Sequence, residues 1–282
     1  MTRSRPAREQ QESFIGARAR LGILVLLAGL AMAACTTTST GMDGSPRGAP
    51  KTESDQTTAD RSSNVHVELA TGYFSQGQYR TSLDEIKQAL AVKPDMREAI
   101  NLRGLVYAAM GEFALADDSF KRALSMSPRD ADTLHNYGWF LCTQQRWAAA
   151  SEQFNLALAQ TNYRAPARTL LARGVCEARA GQLAEAQRSL AKAFEYDPAS
   201  PAVAVNLAEV LYRNGEFERA RFYVKRVNAQ AEQSNAQSLW LELRIERRLG
   251  NSVAVDEIGQ KLRKSYAQSP ETQALGAGQF DE

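Results

Sequence analysis

The chain has 282 residues, of which 44% are apolar, and its 34 Lys and Arg nearly balance its 32 Asp and Glu. This composition is that of a globular protein and excludes a collagen-like, a wholly disordered or a polytopic membrane protein. The even charge balance argues against a dedicated nucleic-acid binder, and two histidines with three cysteines leave little material for a metal centre.

The segment 1–34 has the pattern of a secretory signal peptide. Five arginines between Arg3 and Arg20 precede an apolar run, LGILVLLAGLAM, which ends at the small residues Ala33 and Ala34. A basic segment, a short apolar segment and small residues at the cut site are typical of such a peptide. The apolar run is shorter than the about 20 residues that a transmembrane helix needs. An N-terminal membrane anchor that stays uncleaved is the alternative.

The cysteine that follows indicates lipid attachment. Met32-Ala33-Ala34-Cys35 resembles the lipobox of bacterial lipoproteins, and the resemblance implies acylation of Cys35 after cleavage before it. Several acyl chains together anchor a protein stably. Thr36 stands where that family uses aspartate for inner-membrane retention, so we expect a lipid anchor at the periplasmic face of the outer membrane. Cleavage to a soluble periplasmic protein is the alternative.

The next segment is predicted to be a tether. Residues 36–62 are rich in Thr, Ser, Gly, Pro and Asp and contain hardly any bulky apolar side chain. Such a segment cannot bury enough surface to offset its ordering entropy. We therefore predict that residues 35–62 consist of the lipidated cysteine and a flexible coil with a reach of roughly 30 Å.

From residue 63 the sequence repeats with a period near 34 residues, which is the period of tetratricopeptide units. In the clearest copy, residues 97–130, Gly111 is placed to end the first helix and Pro128 to end the second. Stacked helix pairs cover one another's apolar flanks. The predicted fold is therefore all-α, a tetratricopeptide-repeat superhelical solenoid of about six repeats. The predicted repeats lie near residues 63–96, 97–130, 131–164, 167–200, 201–234 and 236–269, with a C-terminal tail at 270–282.

The first helix of each repeat is expected to line a binding groove, as it does in this repeat class. Apolar residues at groove positions predict a site for an apolar or amphipathic peptide, and packing against neighbouring repeats is the alternative. Two asparagines occupy a position that often holds a bound peptide backbone. A late basic cluster, Arg244, Arg247 and Arg248, either meets an acidic partner or is a solvated face. The candidate groove residues are Val67, Phe74, Leu105, Asn136, Trp139, Leu171, Val175, Val205, Asn206, Tyr212 and Trp240.

The remaining cysteines, Cys142 and Cys176, fall on the first helices of the third and fourth repeats. Their repeat positions are two apart, which corresponds to about 200° around a helix axis. One thiol can therefore point forward along the stack while the other points back. We hypothesise a Cys142–Cys176 disulfide in an oxidising compartment, and two buried thiols are the alternative.

Three segments go beyond the generic repeat. They are HNYGWFLC at 135–142, GVC at 174–176 and SLWL at 238–241. Together with the lipobox and the repeats, they resemble the type IV pilus biogenesis/stability lipoproteins, the PilF/PilW pilotin family. The resemblance implies an outer-membrane lipoprotein that binds the pilus secretin and promotes its localisation and multimer assembly. It assigns Cys35 to anchoring and the groove to the secretin or another pilus-assembly protein.

Two other classes of function compete with this interpretation. A repeat scaffold lipoprotein for outer-membrane protein assembly or cell-wall synthase regulation is the alternative of the same broad class. An enzyme is the other, but the sequence has no nucleophile–base arrangement, phosphate-binding glycine loop or metal-ligand spacing. His66 and His135 fall on first helices, where packing or groove lining is their ordinary role. We therefore predict a monomer that is not an enzyme and needs no cofactor, metal or nucleic acid.

Overall fold

The computed structural model describes residues 56–280 and shows α-helices and connecting turns throughout that range, with no strand. The signal peptide, Cys35 and most of the tether lie outside the described residues, so the predictions for them stay predictions. The helices are α1 Thr58–Ser75, α2 Tyr79–Val92, α3 Arg97–Ala109, α4 Phe113–Met126, α5 Ala131–Thr143, α6 Trp147–Leu158, α7 Pro166–Arg179, α8 Leu183–Tyr196, α9 Pro201–Arg213, α10 Phe217–Asn228, α11 Ala236–Arg248, α12 Ser252–Ser265 and α13 Pro270–Ala277.

The helices form six consecutive pairs, repeats 1 to 6, from α1/α2 to α11/α12. Within each pair the two helices pack together, and each odd-numbered helix also contacts the next odd-numbered helix. The even-numbered helices are farther apart and meet through long side chains, as where the rings of Phe194 on α8 and Tyr223 on α10 lie with their centroids 5.0 Å apart. The first helices therefore lie side by side on one surface, which we call the A-helix face. The all-α tetratricopeptide-repeat prediction is confirmed.

The turns within the repeats depend on residues that tolerate a positive φ. Gly111 and Gly215 have φ of 81° and 79°, in the left-handed region where a Cβ costs about 1–2 kcal/mol. Repeat 3 has Gln145 at this position, with φ 58°. The second helices of repeats 1, 2 and 4 end two residues before Pro94, Pro128 and Pro198, and the residue preceding each proline is restricted to extended backbone.

Close packing within repeats 2, 3 and 4 requires glycine in the first helix. A Cβ added there would collide with a buried side chain of the second helix, because the two helices approach too closely for it. The collision distances are 2.8 Å from Gly104 to Phe120, 2.8 Å from Gly138 to Phe154 and 2.6 Å from Gly174 to Leu190.

The start of α1 corrects the predicted tether boundary at residue 62. The helix begins at Thr58, and a capping box fixes that start. The backbone N–H of Asp60 donates to Thr57 Oγ1 at 3.0 Å, and the backbone N–H of Thr57 donates to Asp60 Oδ2 at 3.1 Å. Lys93 Nζ, just after α2, lies 2.8 Å from Asp60 Oδ1. Composition missed this start because Thr, Ser and Asp favour both coils and helix caps.

The predicted C-terminal tail is helical over 270–277. Ser269 caps α13, and Leu275 and Phe280 pack on the apolar side of repeat 6. The segment thereby covers a flank that the last repeat would otherwise expose. Between residues 56 and 280, none of the helices combines the length and the hydropathy needed to cross a bilayer.

Candidate partner-binding groove

All eleven predicted groove residues lie on first helices and are half-buried. Because successive first helices are in contact, the residues are distributed along the A-helix face from repeat 1 to repeat 6. They are Val67 and Phe74 on α1, Leu105 on α3, Asn136 and Trp139 on α5, Leu171 and Val175 on α7, Val205, Asn206 and Tyr212 on α9, and Trp240 on α11.

Half-burial means that these side chains also pack. Leu105 contacts the buried clusters of repeats 1–2 and of repeats 2–4, and Leu171 contacts two clusters further along the stack. Their inner surfaces therefore join neighbouring repeats, as the packing alternative proposed. Their outer surfaces contribute apolar area to the A-helix face.

Trp139 has a cation beside it. The Arg179 guanidinium carbon lies 5.3 Å from the centre of the Trp139 ring, within cation–π range. Arg179 is on α7 of the next repeat and is exposed. The sequence analysis did not single out Arg179, although its place near the end of a first helix, one repeat after a tryptophan, is a usable signal.

The two candidate asparagines have different surroundings. Asn136 Nδ2 donates to Asn101 Oδ1 at 3.3 Å, and Asn136 Oδ1 accepts from Arg168 at 3.3 Å, which makes a polar row across three first helices. Asn206 Nδ2 donates to the Ala202 carbonyl of its own helix at 2.8 Å. A peptide backbone would have to compete with these bonds, so the asparagines are partly engaged before any partner binds.

His135 lies buried beneath this row and has a structural role. Its Nε2 accepts from Arg168 Nε at 3.0 Å, so the ring proton is on Nδ1, which donates to Thr169 Oγ1 at 2.8 Å. Burial, together with the nearby Arg168 charge, lowers the pKa of His135 to about 3. The imidazole is thus a neutral tie between repeats 3 and 4. His66, in turn, lies 2.7 Å from Glu85 across repeat 1.

The same junction contains the two cysteines. The structure joins Cys142 on α5 to Cys176 on α7 in a disulfide, with the Cα atoms 5.8 Å apart. Both residues are buried within an aromatic cluster that includes Tyr137, Phe140 and Phe154. The first helices of repeats 3 and 4 are therefore fixed relative to each other on both sides of Trp139.

The C-terminal end of the face differs from the predicted apolar stripe. Arg244 lies over the Tyr212 ring at 4.9 Å, and the Trp240 ring is stacked on Phe280 at 5.5 Å. The ring face of Trp240 is therefore already covered by the chain itself. Sequence reasoning missed Phe280 because it lies beyond the last repeat and reaches Trp240 only through the fold of α13.

No group of three or more His, Cys, Asp or Glu side chains among residues 56–280 could hold a metal ion. What the A-helix face provides is a long surface with aromatic, aliphatic and arginine side chains, which are the residue types enriched where proteins bind proteins.

Comparisons with known proteins agree with this architecture. Two family models, each described as a tetratricopeptide repeat, match residues 67–131, 101–165 and 177–240. These matches place the chain in the class of tetratricopeptide-repeat proteins. None of the curated proteins matches the chain. A tetratricopeptide-repeat structure from Parabacteroides merdae, at 18% identity over 76% of this chain and 83% of its own with a TM-score of 0.56, shows the fold alone.

Two solved structures are more informative. PilW, described as a widely conserved type IV pilus biogenesis factor, is 31% identical, covering 76% of this chain and 97% of its own, with a TM-score of 0.71. PilF of Pseudomonas aeruginosa is 26% identical, covering 79% of this chain and 100% of its own, with a TM-score of 0.69. The chain therefore belongs to the PilW family of tetratricopeptide-repeat proteins.

Proposed function

We propose that the protein is a pilotin, an outer-membrane lipoprotein that binds the type IV pilus secretin and promotes its localisation and multimer assembly. The observation that carries this proposal is the similarity to PilW, a type IV pilus biogenesis factor, over nearly the whole length of PilW. The role in secretin assembly, the lipid on Cys35 and the outer-membrane location are the parts of the proposal that experiments must test.

In this proposal the A-helix face is the binding surface for the secretin. Trp139 projects from the junction held by the disulfide and the His135 network, so its position is fixed before binding. A rigid aromatic anchor loses little entropy on binding and is typical of interface hot spots. We assign the centre of the secretin contact to Trp139, with Tyr212 as the second aromatic contact.

Pull-down of detergent-solubilised secretin tests this binding surface. Trp139→Ala with Tyr212→Ala should reduce recovery at least about tenfold, because each removes a half-buried aromatic from the interface. The matched control is Tyr196→Ala with Phe222→Ala, which removes two aromatics that are 57% and 63% exposed on the second helices. The control should recover secretin as the wild type does. Both variants should keep the helical circular dichroism of the wild type. Equal recovery of secretin with the two variants would show that the secretin binds a different surface.

Fractionated membranes test the biological role. We would compare the SDS-resistant secretin multimer in the wild type, a deletion strain and a Cys35→Ala strain. Loss of the outer-membrane multimer in both mutants supports a lipid-anchored pilotin, and loss only in the deletion means that the repeat body suffices. An unchanged multimer in both would overturn the proposal in favour of a scaffold for another envelope machine.

A further inference from the structure

The C-terminal end of the A-helix face contains a basic cleft. Two adjoining cavities of about 730 and 410 Å³ open between α9 and α11, and both have Tyr212, Arg244 and Arg248 in their walls. Their combined cations are Arg213, Arg244, Arg247 and Arg248, and we call this space the arginine cleft. Each volume is within the range of ligand and side-chain pockets.

Among residues 56–280, Glu209 is the one acidic residue in the cleft walls. Its Oε2 lies 2.9 Å from Arg244. Arg247 and Arg248 are exposed, and no carboxylate among residues 56–280 lies within 4.0 Å of either guanidinium group. The cleft therefore presents a local excess of positive charge on a chain whose total charge is nearly balanced.

Aromatic rings hold three of these guanidinium groups in place. A guanidinium that stacks on a ring by its flat face still presents its N–H edge, which matches a carboxylate in a bidentate geometry. Stacking also reduces the side-chain entropy that is lost when a ligand binds. The stacked pairs are Arg244 over Tyr212 at 4.9 Å, Arg247 over Phe280 at 3.8 Å and Arg248 over Phe217 at 4.6 Å.

Phe280 indicates which side chains could stand beside the carboxylates of a ligand in this cleft. Its ring lies against both Trp240 and Arg247 at the edge of the cleft, so aromatic and cationic side chains pack together there. In the sequence, Phe280 is followed by Asp281 and Glu282. An aromatic residue next to carboxylates thus combines the two chemical groups that the cleft walls complement.

We propose that the arginine cleft binds an acidic peptide segment of a partner protein, with carboxylates on Arg247 and Arg248 and an aromatic side chain against the cleft rings. The site is separate from Trp139 on the first helix of repeat 3. The cleft shares Tyr212 with the secretin contact proposed above, but its cations and its acidic ligand do not depend on the identity of the groove partner.

Fluorescence anisotropy with a defined probe tests the proposal. The probe is the fluorescein-labelled peptide GQFDEGQFDE, which repeats residues 278–282 twice, and the full chain is purified in detergent. Arg247→Glu with Arg248→Glu should raise the Kd at least about tenfold, because it places like charges beside the carboxylates. Added NaCl should weaken binding of the wild type.

Two matched controls isolate the cleft. Arg188→Glu with Arg219→Glu makes the same change in net charge at exposed positions on α8 and α10 and should leave the Kd within about twofold of the wild type. The neutral peptide GQFNQGQFNQ should bind at least about tenfold more weakly than the acidic one. Equal Kd values for the two peptides, or for the two double variants, would overturn the proposal.

Two further experiments test whether the peptide binds outside the cleft and whether the cleft arginines bind a different ligand. A Trp139→Ala variant that weakens peptide binding as much as the cleft variant would place the peptide in the apolar part of the face and overturn the proposal. Sedimentation with phosphatidylglycerol vesicles tests the other possibility. A cleft variant that loses vesicle binding but keeps the wild-type Kd for the peptide would overturn the proposal in favour of an anionic membrane surface.

Discussion

Repeats 3 and 4 and repeats 5 and 6 use the same helical unit, but their first helices are joined differently. Between α5 and α7 the connection is buried and includes the Cys142–Cys176 disulfide and the neutral His135. Between α9 and α11 it includes the Glu209–Arg244 ion pair, which borders an open cleft. One repeat scaffold therefore supports both a covalently linked junction that positions an aromatic side chain and a junction that presents charge at the edge of an open cleft.

The two regions also differ in how closely the helices of one repeat approach. Gly138 and Gly174 occupy the contact position in repeats 3 and 4, where a Cβ would collide with the second helix. The equivalent positions in repeats 5 and 6 are Ala208 and Leu243, both fully buried. The size of one side chain thus sets the helix spacing, and the central repeats are packed more tightly at this point than the last ones.

Among the changes that test this comparison, loss of the disulfide is expected to lower the free energy of unfolding most. The cysteines are 34 residues apart, and releasing that loop should lower the free energy of unfolding by about 3–4 kcal/mol. Urea unfolding of Cys142→Ser, compared with the wild type with and without dithiothreitol, measures it. Cys142→Ser with Cys176→Ser is the control and should not respond to dithiothreitol. A wild type that is equally stable with and without the reductant would mean that the central junction does not depend on the covalent bond.

The glycine contact is the next test. Gly138→Ala should destabilise by about 1–3 kcal/mol, because its Cβ would lie 2.8 Å from the Phe154 ring. Gly259→Ala, in α12 of repeat 6, is the matched control. Its Cβ would lie 3.4 Å from Leu275, so the higher helix propensity of alanine should offset most of any packing cost. Thermal unfolding of both variants decides it, and equal losses would contradict a difference in packing between the regions.

The neutral histidine makes the central junction sensitive to acid. The pKa of His135 is about 3 in the folded chain against an ordinary value of 6.5, so below pH 6.5 the unfolded chain takes up a proton that the folded chain does not. The free energy of unfolding contributed by His135 is complete above pH 6.5 and should fall by about 2 kcal/mol by pH 5.

His135→Gln isolates this effect. Glutamine keeps a donor and an acceptor but does not titrate, so the variant should lose about 2 kcal/mol less than the wild type between pH 7 and pH 5. Urea unfolding at both pH values measures the difference. Parallel losses in the two proteins would show that the acid sensitivity comes from other groups.

The smallest expected effect concerns the turn in repeat 3. Gln145→Gly should stabilise by about 0.5–1 kcal/mol, because glycine relieves the positive φ but also increases the entropy of the unfolded chain. The reverse change, Gly215→Gln in repeat 5, should destabilise by about 1 kcal/mol. Thermal midpoints of the two variants should move in opposite directions, and shifts of the same sign would contradict this account.

The repeat register was readable because each repeat copies the same local signals. Gly111 and Pro128 mark where the helices end. They act through the local backbone geometry, so their effect does not depend on distant contacts. The start of α1 was placed too late, because the capping residues Thr57 and Asp60 also occur in coils. The groove residues were placed on the correct helices, but their half-burial could not be predicted from their spacing.

The sequence by itself determined the helical repeat, the position of the turns and the side chains that the first helices contribute. These follow from periodicity and local backbone preference, which act within one repeat. Only the tertiary structure decided that Phe280 covers Trp240, that burial beside Arg168 keeps His135 neutral, and that four arginines from α9 and α11 border one cleft. Those contacts join residues from different helices, and their energies depend on burial and distance that exist only once the stack has formed.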